Sequence, residues 1–186
     1  MTNDRRSLAR TPWTTVSTRP IYANQWIRVR EDIAEVPDGR RTIYGVVETK
    51  PAIGVLPFLD ADTVVLVGQY RYVVQAFMWE IPTGALSGGE SETDAAQREL
   101  GEEAGYRAGR LEKLCTFDTS KSVLDETAHI YLATDLSPVH HEPDATEFIE
   151  VRAFPFGDVL TMVERSEIVD AMTVVAMLHA ALRRRS

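Results

Sequence analysis

One glutamate-rich stretch breaks the rules that favour a stable helix. In Arg98-Glu99-Leu100-Gly101-Glu102-Glu103, the three glutamates sit at i, i+3 and i+4. At those spacings they share one helix face. Like charges so placed repel by roughly 0.2–0.5 kcal/mol per pair. Gly101 in a helix interior costs about 1 kcal/mol relative to alanine. Glu90 adds a carboxylate from just upstream, beside the glycine-rich run 84–89. Sequences that violate local rules in this way often do so at functional sites. Two readings of the bare cluster stand. One is a solvated acidic face, which is common. The other is a site for a divalent cation. Hard cations take oxygen ligands, and magnesium keeps waters and shares phosphate oxygens. Carboxylates opposite a glycine-rich loop suit magnesium and a polyphosphate. They do not suit zinc, which prefers nitrogen and sulfur.

The elements that must carry these groups follow from pattern. A helix is expected over 92–104, with Ser91 and Asp94 as a capping box with a shortened acid and Gly105 as its stop. Residues 84–89 form the loop before it. Upstream, 26–36 and 42–48 read as strands flanking the turn Pro37-Asp38-Gly39. Residues 52–59 and 64–69 are nearly all apolar, as strands buried on both faces are. Further strands are expected at 77–81, 111–117, 128–133 and 148–154, and helices at 157–164 and 169–184. In the last helix Val174, Met177, Leu178 and Ala181 recur at helical spacing and read as core. The three arginines Arg183–Arg185 read as a complement to the helix dipole. Strands and helices mix without regular βαβ alternation, so the class is mixed-sheet α/β or α+β.

Bulk properties narrow the function. The 186 residues fit one domain of ordinary size, and 44% of them are apolar, enough for a core. A formal net charge of −8 opposes a general nucleic-acid surface. Cys115 is the single cysteine, which builds neither a disulfide nor a zinc site, so a reducing cytoplasm is expected. It reads as a core residue. Residues 1–10 are polar and read as a disordered tail, without the apolar run of a signal peptide. No apolar stretch is long enough to span a membrane. His129, His140, His141 and His179 lack metal-ligand spacing, and His129 reads as structural.

Gly84, Glu90, Arg98, Glu99, Leu100, Glu102, Glu103, Gly105 and Tyr106 together resemble the Nudix box. That pattern is a glycine, five residues, a glutamate, seven residues, then Arg-Glu-apolar-any-Glu-Glu-any-Gly-apolar. Residues 84–106 fill it without departure. Seven fixed residues at ordinary frequencies match by chance in a chain this long on the order of once in a million. Gln69-Tyr70-Arg71 and Trp79-Glu80-Ile81-Pro82-Thr83-Gly84 are similar to the approach to the box in the ADP-ribose pyrophosphatase branch, as is the segment 21–41. One stretch departs. The branch often has Ser-Pro-Gly past the box, followed by a glutamate. Here Ser120 and Glu126 match, while Lys121 and Ser122 replace the proline and glycine.

The resemblance implies a Nudix fold: a mixed β-sheet sandwiched between helices. It implies one domain over 11–186 with an N-terminal antiparallel strand extension over 11–50. It implies magnesium-dependent hydrolysis of the pyrophosphate bond of a nucleoside diphosphate sugar, with manganese as a substitute. ADP-ribose leads among the substrates. GDP-mannose, a dinucleoside polyphosphate and a damaged nucleotide are the alternatives, and a ligand sensor without turnover is the competing class. Glu99 and Glu103, with Glu102 and the backbone carbonyl of Thr83, are the implied metal ligands. Arg98 and Glu90 pair to shape the box. Glu126 is the implied catalytic-loop acid, with Asp125 its rival. Arg71 is a phosphate clamp or a surface ion-pair partner, Trp26 a base-stacking platform or a core residue, and Glu80 a substrate- or metal-proximal carboxylate. The implied partners are a small-molecule nucleoside diphosphate and a second copy of the chain, with neither nucleic acid nor membrane.

Overall fold

The computed structural model describes residues 12–139 and 148–185. The expected 1–10 tail, His140 and His141 lie outside them. In chain order the elements are β1 (Thr14–Ala23), β2 (Arg28–Glu35), β3 (Arg41–Glu48), β4 (Ala52–Pro57), β5 (Thr63–Arg71), β6 (Ala76–Glu80) and β7 (Thr83–Ala85). Then come α1 (Glu92–Ala104), β8 (Tyr106–Asp118), β9 (Leu124–Asp125), β10 (Thr127–Pro138), β11 (Glu150–Pro155), α2 (Phe156–Glu164) and α3 (Ala171–Arg184). The fold is mixed α+β. The chain divides into two compact units, Met1–Thr49 with Ser120–Glu126, and Lys50–Thr119 with Thr127–Ser186.

The first unit is one sheet in the order β1-β2-β3-β9. β1, β2 and β3 are antiparallel neighbours, and β9 joins β3 in parallel. The turn from β2 to β3 forms where Pro37-Asp38-Gly39 predicts it. Gly39 has φ 84° and donates its N–H to the Val36 carbonyl at 2.9 Å, and a glycine tolerates that left-handed backbone. The strand expected from residue 26 starts instead at Arg28. The Asn24 side-chain oxygen accepts the N–H groups of Trp26 and Ile27, both at 2.8 Å, and this local turn keeps Trp26 out of the ladder. Pro20 lies in β1, which is an edge strand, where a residue without an N–H is tolerated.

The second unit holds two sheets, in the orders β7-β4-β10-β8 and β11-β5-β6. β4 and β10 run parallel; the other pairs are antiparallel. As their apolar sequences predict, β4 and β5 are buried on both faces. Ile53, Val55, Val65 and Val67 pack toward Ala95, Ala96, Leu100 and Ala104 of α1. Leu56, Val64 and Leu66 pack the other way, toward Val159 of α2 and Ala176, Met177 and Ala180 of α3. Each such side chain contributes about 1.5–3 kcal/mol by leaving water. Helices therefore cover both faces, as the resemblance implies. Cys115 packs against the second cluster, and burial pushes its thiol pKa up.

One reading of α3 needs correction, and another is extended. Leu178 is 45% exposed and not core; the fully buried positions are Thr173, Ala176 and Met177. Helix phase alone places the stripe to within one position, and the shape of the sheet chooses the final rotation. The terminal arginines make specific contacts beyond the helix dipole. Arg183 donates to Glu112 and to the Lys113 carbonyl, both at 2.9 Å. Arg184 stacks over Phe156 and Phe58, its guanidinium carbon 4.2 and 4.8 Å from the ring centres.

Candidate active site

Helix α1 has the predicted bounds because its ends are written into it. Ser91 accepts the Asp94 N–H at 3.1 Å, and Asp94 accepts the Ser91 hydroxyl at 2.6 Å. Glu92 and Asp94 place negative charge in the first turn. Gly105 ends the helix with φ 72° and donates back to the Gly101 carbonyl at 3.2 Å. The apolar face of Ala95, Ala96, Leu100 and Ala104 fixes the rotation of the helix. That rotation turns Glu99 and Glu103 inward, each only 7% exposed.

Arg98 is the hub of the box. Its Nε and Nη2 donate to the two Glu90 oxygens at 3.0 and 3.1 Å. Nη1 donates to Glu99 at 2.7 Å and to Glu102 at 3.0 Å, and Nη2 reaches the Ala85 carbonyl at 3.2 Å. The sequence predicts the Glu90 pair; the structure adds Glu99 and Glu102. The Glu90 bond, against the opposing cost of burial, holds the guanidinium pKa above its ordinary value. In return Arg98 holds the Glu90 carboxyl below the usual range.

The short strand β7 occupies the start of the expected 84–89 loop. The Glu103 carboxylate accepts the Thr83 N–H at 2.8 Å, tying helix to strand. Gly84 lies directly against Glu99. A Cβ on residue 84 would stand 1.9 Å from Glu99 Oε1, so only glycine leaves room for that carboxylate. Among the described residues, no three His, Cys, Asp or Glu side chains already form a metal cage. The donor set still fits a hard divalent cation. It is all oxygen, it is sheltered at Glu99 and Glu103, and its carboxylates share one helix face.

Arg71 Nε donates to Glu80 Oε1 at 2.8 Å, and its Nη2 lies 2.7 Å from the same oxygen. The sequence left open a clamp or an ion pair, and this contact is the ion pair. Glu80 is buried, and burial pushes its pKa up even though Arg71 pulls it down. The neighbouring Ile81 N–H is held at 2.9 Å by the Thr173 hydroxyl, which donates to Asp170 at 2.7 Å. Neither Thr173 nor Asp170 carries a sequence signal for this contact, since Thr173 lies 92 residues from its partner, Ile81, between β6 and β7.

The remaining candidates belong to other elements. Trp26 and Glu126 belong to the first unit. Trp26 is 71% exposed, which removes the core reading of its ring. Glu126 accepts the Thr49 hydroxyl at 3.3 Å, and Asp125 sits in β9. His129 contacts Thr116 and Lys113, both at 3.2 Å, and burial lowers its pKa. Lys113 and Tyr131 meet on Glu92, at 2.6 and 2.7 Å. That polar group braces the first turn of α1 against the sheet.

Comparison with known proteins agrees with this geometry. Residues 48–172 match the family model of the NUDIX domain, and residues 13–47 match that of the nucleoside diphosphate sugar hydrolase N-terminal domain. The chain belongs to the Nudix hydrolases, enzymes that cleave pyrophosphate bonds. It is similar to an ADP-ribose pyrophosphatase of Bacillus subtilis, with 34% identity over 91% of this chain and 92% of the relative. It is also similar to a methanol dehydrogenase activator of Bacillus methanolicus, with 30% identity over 91% of this chain and 92% of the relative. A crystal structure of an ADP compounds hydrolase shares the fold, with TM-score 0.83 at 24% identity, covering 93% of this chain and 94% of that one.

Proposed function

We propose that this enzyme hydrolyses the pyrophosphate bond of a nucleoside diphosphate sugar in the presence of magnesium, with ADP-ribose the leading substrate. The observation that carries the reading is a pair of sheltered carboxylates on one helix face: Glu99, set against Gly84 and tied to Arg98, and Glu103, tied to the Thr83 N–H. The match of residues 13–47 and the similarity to an ADP-ribose pyrophosphatase support the substrate class.

Glu99, Glu103, Glu102 and the Thr83 carbonyl hold the cation, and manganese substitutes for magnesium. When bound, the cation supplies charge neutralisation at the phosphoryl oxygens and acidifies water. Arg98 and Glu90 keep the box in register, because one guanidinium joins three carboxylates and the Ala85 carbonyl. Glu126 accepts the proton of the attacking water. A water oxygen bonds to one phosphorus, the bridging P–O bond breaks, and the bridging oxygen leaves with the other phosphate. The products are a nucleoside monophosphate and a sugar phosphate. Arg71 and Glu80 border the substrate, and Trp26 stacks on its base.

The exposed apolar side chains Trp13, Ile21, Tyr22 and Ile43 of the first unit support a homodimer. The net charge of −8 supports a small-molecule partner rather than nucleic acid. Among the described residues no helix is long and apolar enough to cross a membrane. We place the enzyme in the cytoplasm, which its single cysteine supports.

The test is phosphatase-coupled turnover with magnesium against ADP-ribose, GDP-mannose, UDP-glucose and a diadenosine polyphosphate. Fast turnover of ADP-ribose is expected, as is a loss of orders of magnitude in Glu99→Gln. Preference for another compound would move the specificity and leave the chemistry. An unchanged Glu99→Gln would overturn the metal assignment.

A further inference from the structure

The acid on the 120–126 segment is not held by that segment alone. Ser120 Oγ accepts the N–H groups of Ser122, Val123 and Leu124 at 3.3, 3.3 and 3.4 Å. This hydroxyl shapes the loop without the proline and glycine that Lys121 and Ser122 replace. The loop then joins the first unit's sheet. Leu124 and Asp125 pair in parallel with Val47 and Glu48, and the Val47 N–H donates to the Val123 carbonyl at 2.8 Å. Just past the end of that ladder, the Thr49 hydroxyl donates to Glu126 Oε1 at 3.3 Å, between partly buried partners. An ionised carboxylate only accepts, so the hydroxyl is the donor.

We propose that Thr49 is a positioning residue that aims the Glu126 carboxylate, so that β3 sets the geometry of the catalytic loop. The inference rests on the reading of Glu126 as the proton acceptor. A glutamate on a loop has several rotatable bonds to fix before it accepts a proton efficiently. The ladder fixes the backbone just before it, and Thr49 holds one oxygen of its head. Lining up the acid changes the rate of the bound complex and leaves substrate binding to other groups.

Initial rates of Thr49→Val, Thr49→Ser, Glu126→Gln and the double variant Thr49→Val/Glu126→Gln test this, with ADP-ribose or whichever panel compound turns over fastest. Thr49→Val lowers kcat about five- to tenfold, the scale of one ordinary hydrogen bond, with KM within about twofold. Thr49→Ser, which keeps the hydroxyl, stays within about twofold of the natural protein. In the Glu126→Gln background, Thr49→Val adds little, because the group it aims is already disabled. Should Thr49→Val fail to fold, Thr49→Ala takes its place under the same criteria. A normal kcat in Thr49→Val beside a slow Glu126→Gln overturns the proposal and leaves the role of Glu126 standing. Equal slowing by Thr49→Val in both backgrounds, or no rescue by serine, also overturns it. Normal turnover in Glu126→Gln removes the reading of Glu126 and this inference with it.

Discussion

Replacing Gly84 by alanine separates chemistry from folding at this site. The new Cβ would lie 1.9 Å from Glu99 Oε1, 2.1 Å from its carboxyl carbon and 2.3 Å from Oε2. Real contacts of this kind do not fall below 3.0 Å, so the carboxylate must retreat. A retreat of about 1 Å at a reacting centre costs on the order of 100-fold in rate. The clash falls on the far end of a flexible side chain and not on backbone, so the fold can absorb it. A displaced rotamer costs about 0.5–1.5 kcal/mol. Against that, alanine reduces the freedom of the unfolded chain, worth about 0.4–1 kcal/mol. Net stability therefore changes by no more than about 1 kcal/mol, while kcat falls about 100-fold. The assay pairs initial rates at saturating magnesium with a urea denaturation curve. Near-natural turnover would refute the role given to the position of Glu99. Loss of folding together with activity would show that the Gly84–Glu99 contact serves stability first.

Three further outcomes are expected. Gly101→Ala is tolerated, because its Cβ would meet only the Tyr106 carbonyl at 3.8 Å and Val139 at 3.9 Å. It raises stability by about 0.5–1 kcal/mol in urea denaturation and leaves turnover unchanged. Arg98→Lys removes the fork that joins Glu90, Glu99 and Glu102, and a point charge cannot replace it. Urea denaturation should read a modest loss, since the Arg98 side chain is 32% exposed, with turnover down at least tenfold. Glu90 has a folded pKa below its ordinary 4.5, so its pairing stabilises fully above that pH and fades as acid protonates it further down. The stability gap between the natural protein and Glu90→Gln should therefore be largest near neutrality and shrink as the pH falls below 4.5. A gap that stays constant with pH would contradict the ion pair.

Local signals proved the most legible. The bounds 92–104 of α1 follow from Ser91, Asp94 and Gly105, which act on backbone groups only a few residues away. The double-sided burial of β4 and β5 follows from apolar runs without alternation. Where a nearby side chain could divert the backbone, pattern misled. Asn24 holds Trp26 in a turn, so the strand begins at Arg28 rather than at residue 26. Leu178 has core spacing but faces outward, because helical periodicity does not say where the sheet stops covering the helix.

Sequence by itself determined the candidate chemistry: which carboxylates share the face of α1, where that helix starts and stops, and which family owns the spacing. Those properties depend on residue type and on separations of a few residues, which helix geometry converts directly into position. Only the tertiary structure decided the partners. It brought Arg71 to Glu80, Thr173 to Ile81 and Thr49 to Glu126. Thr49 and Glu126 are 77 residues apart, and no local pattern links them. Such pairs are set by strand register and core packing, which are properties of the whole folded chain.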